Sequence, residues 1–153
     1  VSTDRLTIEL RSTNVELNAS IDIAIFPRLV SFISKTMGQK DSHWTRVKQL
    51  IESVERFYPQ TPIFIAADST PIAERERILS HLTSNGNLTN VFLFILPEDS
   101  GVSYSRNVLV RQVRSEFLFH LDDDFVLEAD SHLDLLLQML IETPSIDLIA
   151  GKI

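Results

Sequence analysis

Asp122-Asp123-Asp124 is the stretch of this sequence whose chemistry is easiest to name. The three carboxylates follow the apolar run Phe117-Leu118-Phe119-His120-Leu121 and precede Phe125-Val126-Leu127. Adjacent like charges at the end of a buried segment repel, and water, basic side chains or a metal cation must relieve them. If the segment stays extended, Asp122 and Asp124 face the same side and offer two carboxylates to one cation. Such oxygen ligands suit Mg²⁺ or Mn²⁺, ions that keep room for diphosphate oxygens and ease the departure of a diphosphate leaving group. The plain alternative is a solvated acidic lead-in to the next helix.

Other polar residues with chemical potential stand at similar places. Arg106 and Asn107 open a helix after a Gly-containing loop; Arg can pair with phosphate and Asn can bond a base or sugar edge. Asp68 can accept bonds from a ribose or base, or cap the next helix. The four histidines, His43, His81, His120 and His132, lack metal-ligand spacing.

The elements that must position these residues are legible from periodicity. Leu6, Ile8 and Leu10, and again Ile21, Ile23 and Ile25, alternate with other residues and predict half-exposed strands, a short β segment over residues 1–27 with a link at Pro27-Arg28. From there strand and helix alternate. Strands are expected at 29–33, 63–67, 91–96, 117–121 and 147–150. Helices are expected after Asp41-Ser42, after Asp68 to Pro71, over 103–113 and after Asp130-Ser131. Alternation predicts an α/β fold, a mostly parallel sheet with helices on both faces. Ser34-Lys35-Thr36, Asp68-Ser69, Gly101 to Asn107 and the triple Asp each follow a strand, so all four share the edge where open α/β sheets bind ligands.

Bulk properties narrow the class. The chain has 153 residues, 44% hydrophobic and 23% charged, ordinary for one globular domain. A net charge of −7 disfavours nucleic acid as a partner. The absence of cysteine excludes thiolate zinc, disulfides and thiol catalysis. No run is apolar enough to span a bilayer. The sequons Asn18-Ala19-Ser20 and Asn87-Leu88-Thr89 point to a lumenal or extracellular setting. A first residue of Val and a strand-like end at Ala150-Gly151-Lys152-Ile153 read as a piece of a longer chain.

Several blocks together carry a resemblance: Lys35-Thr36, Ser53 to Pro59, Ile65 to Ser69, Gly101 to Asn107, Val113 to Phe125 and Asp147 to Gly151, with Arg106 through Asp124 the most specific. From about Leu29 to Ile153 the chain resembles GT-A fold glycosyltransferases of the glycosyltransferase-2-like superfamily. Within it, the chain is most similar to the ganglioside-synthase-type β-1,4-N-acetylgalactosaminyltransferases. The resemblance implies that 28–153 is the nucleotide-sugar-binding half of a metal-dependent glycosyltransferase. Its donor would be a UDP-sugar such as UDP-N-acetylgalactosamine, its cofactor Mn²⁺ or Mg²⁺, and its acceptor a glycan or glycolipid. By the same resemblance Asp124, with Asp122, holds the metal, and Asp122 and Asp123 contact the ribose and metal region. Asp68 lies near uracil and ribose, Arg106 and Asn107 lie beside the nucleotide, and Thr36 lies under the base. The protein is expected in the Golgi lumen as part of a type II membrane protein, its anchor upstream. Ala67 stands where the family has the first of two acids, a departure that implies either the loss of one nucleotide contact or a changed donor preference. No catalytic base is assigned, because the family's base and acceptor half lie beyond Ile153, so the fragment alone is expected to be inactive. The alternatives are a non-catalytic nucleotide- or glycan-binding domain, and an aspartyl-nucleophile phosphotransferase using Asp122.

Overall fold

The computed structural model describes residues 7–10 and 13–16, as backbone, and 21–150. It divides into two compact units. One contains an antiparallel hairpin, β1 (Thr7–Leu10) with β2 (Thr13–Glu16), and a C-terminal helix. The other, Ala24–Ala129, is the α/β unit that holds every candidate site residue.

A 3₁₀ turn, Ile23–Ile25, leads into α1 (Phe26–Leu29) of the α/β unit. The strand expected over Ile21 to Ile25 is therefore not formed, and the expected link at Pro27-Arg28 is helical. Pro27 sits in the first turn of α1, where its fixed φ suits a helix and its missing N–H costs nothing. The unit continues with β3 (Val30–Thr36), α2 (Asp41–Phe57), β4 (Ile63–Ala67), a 3₁₀ turn into α3 (Arg75–Leu82), β5 (Val91–Ile95), α4 (Gly101–Gln112) and β6 (Phe117–His120). Helix α5 (Leu133–Glu142) belongs to the first unit. All four core strands are parallel, in the order β5-β4-β3-β6.

β3 is longer than its apolar run. Ser34, Lys35 and Thr36 pair with Ile65, Ala66 and Ala67 of β4, so ladder hydrogen bonds extend the strand through polar residues expected in a loop. At the other end, Asp147–Ala150 has no strand pairing, and Leu148 is 85% exposed. An extended apolar stretch without a partner ladder is not a strand.

Register assigns the two faces of the sheet. Phe32, Ile63 and Phe119 lie on one side, and Ile33, Phe64 and His120 on the other. On the first side Phe32 packs against Phe119 and Tyr58, and Phe26 stacks on Tyr58 at 4.4 Å, beneath the apolar stripe Val47, Leu50, Ile51 and Val54 of α2. On the second side Leu109 of α4 is buried with Ile33 and Ala66, flanked by Phe64, Phe94, Leu96 and Val113. Right-handed crossovers require this split. The first two connections step outward from β3 to β5, and the third returns past β3 to β6 over the opposite face. The strand order thus reverses between β3 and β6, whose carboxyl ends are Thr36 and His120. A crevice at such a switch point is where open α/β sheets bind ligands.

Candidate active site

The triple Asp leaves the sheet at this switch point, pinned at both ends. Leu121 N–H donates to Ile33 O at 3.0 Å, continuing the β6–β3 ladder. Leu127 N–H donates to Ser53 Oγ of α2 at 3.0 Å, while that hydroxyl donates to Leu50 O at 2.8 Å. Leu121 and Leu127 are buried, so the acidic residues between them form a short exposed bridge on apolar anchors. The bridge turns. Phe125 N–H donates to Asp122 O at 3.2 Å, with Asp123 and Asp124 at the corner. The extended premise behind the shared orientation of Asp122 and Asp124 does not hold, because Asp is favoured where a chain turns. Removal of the Ser53 hydroxyl should orphan the buried Leu127 N–H. Ser53→Ala is expected to cost about 1–3 kcal/mol, read by urea denaturation, whereas no change would mean that the bridge is held by its apolar anchors alone.

Two arginines flank the turn. Arg106 Nη2 of α4 is 3.6 Å from Asp122 Oδ1, and Arg46 Nη2 of α2 is 4.0 Å from Asp123 Oδ2. Asp124 is exposed and forms no ion pair among the described residues. No group of three or more His, Cys, Asp or Glu residues that could hold a metal ion occurs among the described residues. Partial desolvation holds the His120 imidazole below its ordinary pKa of 6.5; the Arg106 guanidinium pushes the same way and Asp122 opposes.

A second cluster lies after β4. Asp68 is 4% exposed, and its side chain does not cap the helix that follows it. Oδ2 accepts Gly101 N–H, the first residue of α4, at 3.1 Å. Lys35 Nζ lies 3.1 Å from Oδ1, an ion pair between two largely buried side chains. Asp68 is thus a cap supplied across the fold to α4, where a carboxylate meets free N–H groups and the positive end of the helix dipole. The Asp41-Ser42 signal behaves similarly: Lys40 is the N-cap of α2, no side chain caps it, and Asp41 lies in its first turn.

Thr36 is 1% exposed, and among the described residues its Oγ1 has no hydrogen-bond partner, nor has Ser34 Oγ beside it on the same face. Asn107 is exposed and makes no side-chain hydrogen bond among the described residues. The structure therefore joins Arg106 to Asp122 and Lys35 to Asp68, links the clusters through α4, and leaves Thr36 and Asn107 outside both. Sequence reading passed over Arg46 and Ser53. Their seven-residue spacing, which puts both on one side of α2, was the available signal. A cavity of about 230 Å³ between α2 and α3, lined by Asp41, Trp44, Thr45, Arg77, Ile78 and His81, includes none of the residues proposed from sequence.

Fold and site define a parallel α/β domain with an acidic, arginine-flanked turn at its topological switch point, a Rossmann-like arrangement of the GT-A type. Residues 40–151 match the family described as glycosyl transferase family 2. The chain is 35% identical over 125 residues to beta-1,4 N-acetylgalactosaminyltransferase 1 of Mus musculus and 32% identical over 125 residues to that of Homo sapiens. Each match covers 82% of this chain and 20% of the relative. Beta-1,4 N-acetylgalactosaminyltransferase 2 of Mus musculus is 23% identical over 109 residues, 71% of this chain and 19% of that protein. The chain belongs to glycosyl transferase family 2, and it spans about a fifth of the length of the curated relatives it matches. No helix among the described residues is long and apolar enough to cross a membrane.

Proposed function

We propose that this chain is the donor-binding part of a glycosyltransferase that takes a UDP-sugar, of the N-acetylgalactosamine type, with Mn²⁺ or Mg²⁺, and passes the sugar to a glycan or glycolipid. The observation that carries this reading is the convergence of Arg106 and the triple Asp at the β3/β6 switch point. Small hard cations take one or two carboxylates and complete their shell with water and phosphate oxygens. Asp124, exposed and without an ion pair among the described residues, and Asp122, also exposed, fit that open donor set. The cation, when bound, neutralises the leaving diphosphate. Arg106 adds a fixed positive charge beside it, where charge develops on the leaving group. By resemblance to the family, Asp123, Asp68, Asn107 and Thr36 belong to the nucleotide side, with the buried Asp68 and Thr36 behind its surface. Asp68, buried, acts there through its Lys35 pair and its cap on α4, and Thr36, also buried, lies at the end of β3. The proposed setting is the Golgi lumen, with the chain carried by a type II membrane protein, and the exposed Asn87 sequon supports a lumenal location.

UDP with Mn²⁺ at a hundred times its Kd should stabilise the chain by about 2.7 kcal/mol. That raises the Tm by roughly 5–11 °C for a domain of this size. Asp124→Ala should abolish the rise without lowering the Tm of the free protein, because the side chain is exposed. An unchanged ligand shift in Asp124→Ala would remove that residue from the site.

One observation favours a second reading, a domain that binds without turnover. Ala67 is fully buried, so the position of the family's first acid holds a small apolar residue with no exposed surface here. Turnover of a UDP-sugar by the full-length protein separates the two readings. Family membership sets aside the phosphotransferase alternative.

A further inference from the structure

Helix α2 meets the acidic bridge at two points on one side. Ser53 takes Leu127 N–H at 3.0 Å, and Arg46, two turns earlier, stands 4.0 Å from Asp123. From the other face of the sheet, Arg106 reaches Asp122 at 3.6 Å. Each arginine thereby balances one of three adjacent carboxylates and leaves Asp124 over. The Arg46 contact is long, and its side chain is 44% exposed. A contact of that kind relieves repulsion but is released at little cost, unlike a bidentate lock.

We propose that Arg46 is a positioning residue of the donor site. It holds Asp123 while the turn is empty of cation, and it becomes available to the diphosphate once a divalent cation takes over the neutralisation of the carboxylates. The inference rests on reading this edge as a site for a nucleoside diphosphate with a divalent cation. A guanidinium is suited to the second role, since its planar fork matches phosphate oxygens and it keeps its charge at any working pH. The position is suited to the first, because Arg46 and Ser53 share one rigid helix and place the charge and the anchor together.

The two roles have opposite signs in binding. Before the nucleotide arrives, the Arg46 charge competes with the cation for the acidic turn; afterwards it attracts the anion. Arg46→Gln should therefore bind Mn²⁺ alone about two- to fivefold tighter, one positive charge having left the carboxylates. With Mn²⁺ saturating, it should bind UDP about tenfold more weakly, the worth of one charge-assisted hydrogen bond. Arg46→Lys should restore the Mn²⁺ affinity and only part of the UDP affinity, because an ammonium lacks the fork. Titration calorimetry on the full chain reads both affinities, and circular dichroism confirms that the variants are folded. If neither affinity changes in Arg46→Gln, the contact is a surface ion pair and the proposal fails. If both weaken together, with a lowered Tm, Arg46 is a structural prop and the proposal also fails. Wild-type protein that is folded yet binds no UDP with Mn²⁺ overturns the site reading and this inference with it. Wild-type binding beside an unaltered Arg46→Gln overturns the inference alone.

Discussion

Gly38→Ala is expected to destabilise the α/β unit by about 3 kcal/mol or more. Two separate costs combine. Gly38 has φ +70°, in the left-handed region, which costs a residue with a Cβ roughly 1–2 kcal/mol. The space is also filled: a Cβ there would lie 2.3 Å from Thr70 Oγ1, 2.6 Å from Trp44 Cζ2 and 3.2 Å from Ala67 Cβ. Trp44 is buried, and Thr70 Oγ1 is held by its own bond to Gly38 O at 3.0 Å, so neither neighbour swings clear cheaply. Overpacking of this kind adds about 1–3 kcal/mol. Thermal denaturation should show a Tm lowered by roughly 6–12 °C. Gly86→Ala is the internal control. Gly86 has φ +87° but nothing within 4 Å of its ideal Cβ, so it should show the backbone cost alone. Equal losses in the two variants would mean that the loop after β3 relaxes and the close approach is not a constraint. The loop matters to the site because Ser69 N–H donates to Met37 O at 3.1 Å, tying the end of β3 to the segment that carries Asp68.

How much of this was legible beforehand depended on whether a feature is local. Alternation of apolar runs with 3.6-residue stripes forecast the four parallel strands and the helices between them. The central runs, β3 and β4, are largely buried on both faces, while β5 and β6 at the sheet edges are partly exposed. The strand-end placement of Asp68 and the triple Asp followed from the same pattern, whereas Arg106 and Asn107, expected where a helix opens, sit in the second turn of α4, which already starts at Gly101. Features settled by a distant partner were hidden. Lys35 reads as a loop residue until Ala66 is seen beside it in the ladder. Asp68 reads as the cap of its own helix until Gly101, 33 residues on, donates to it. The Ile21 to Ile25 pattern fits a strand, but with no partner ladder in reach and Pro27 following, the helical turn wins. The acidic stretch was placed correctly and shaped wrongly, since an edge bridge pinned at Leu121 and Leu127 has to turn.

Asp68→Ala is expected to cost about 3–5 kcal/mol, the range for removing one partner of a buried ion pair. The Lys35 side chain is 13% exposed, so its ammonium would be left with little water in place of its counter-ion. Gly101 N–H would lose its acceptor, and α4 would lose the carboxylate at its positive end. The Tm should fall by roughly 6–20 °C. The double variant Lys35→Met with Asp68→Leu should recover most of the loss, because two apolar groups carry no unpaired charge, and only the Gly101 cap stays missing. A coupling energy above about 1 kcal/mol in the cycle closed by the single variants Lys35→Met and Asp68→Leu marks the pair as a unit. A loss below about 1 kcal/mol in Asp68→Ala would mean that the carboxylate is not held by the fold. The consequence for the site is positional. Arg106 lies on the same helix as Gly101, so freeing the start of α4 loosens the Arg106–Asp122 contact at 3.6 Å as well as the helix end. Conversely, a carboxylate that caps α4 through one oxygen and faces Lys35 with the other couples the segment after β4 to the acidic turn through a single rigid helix.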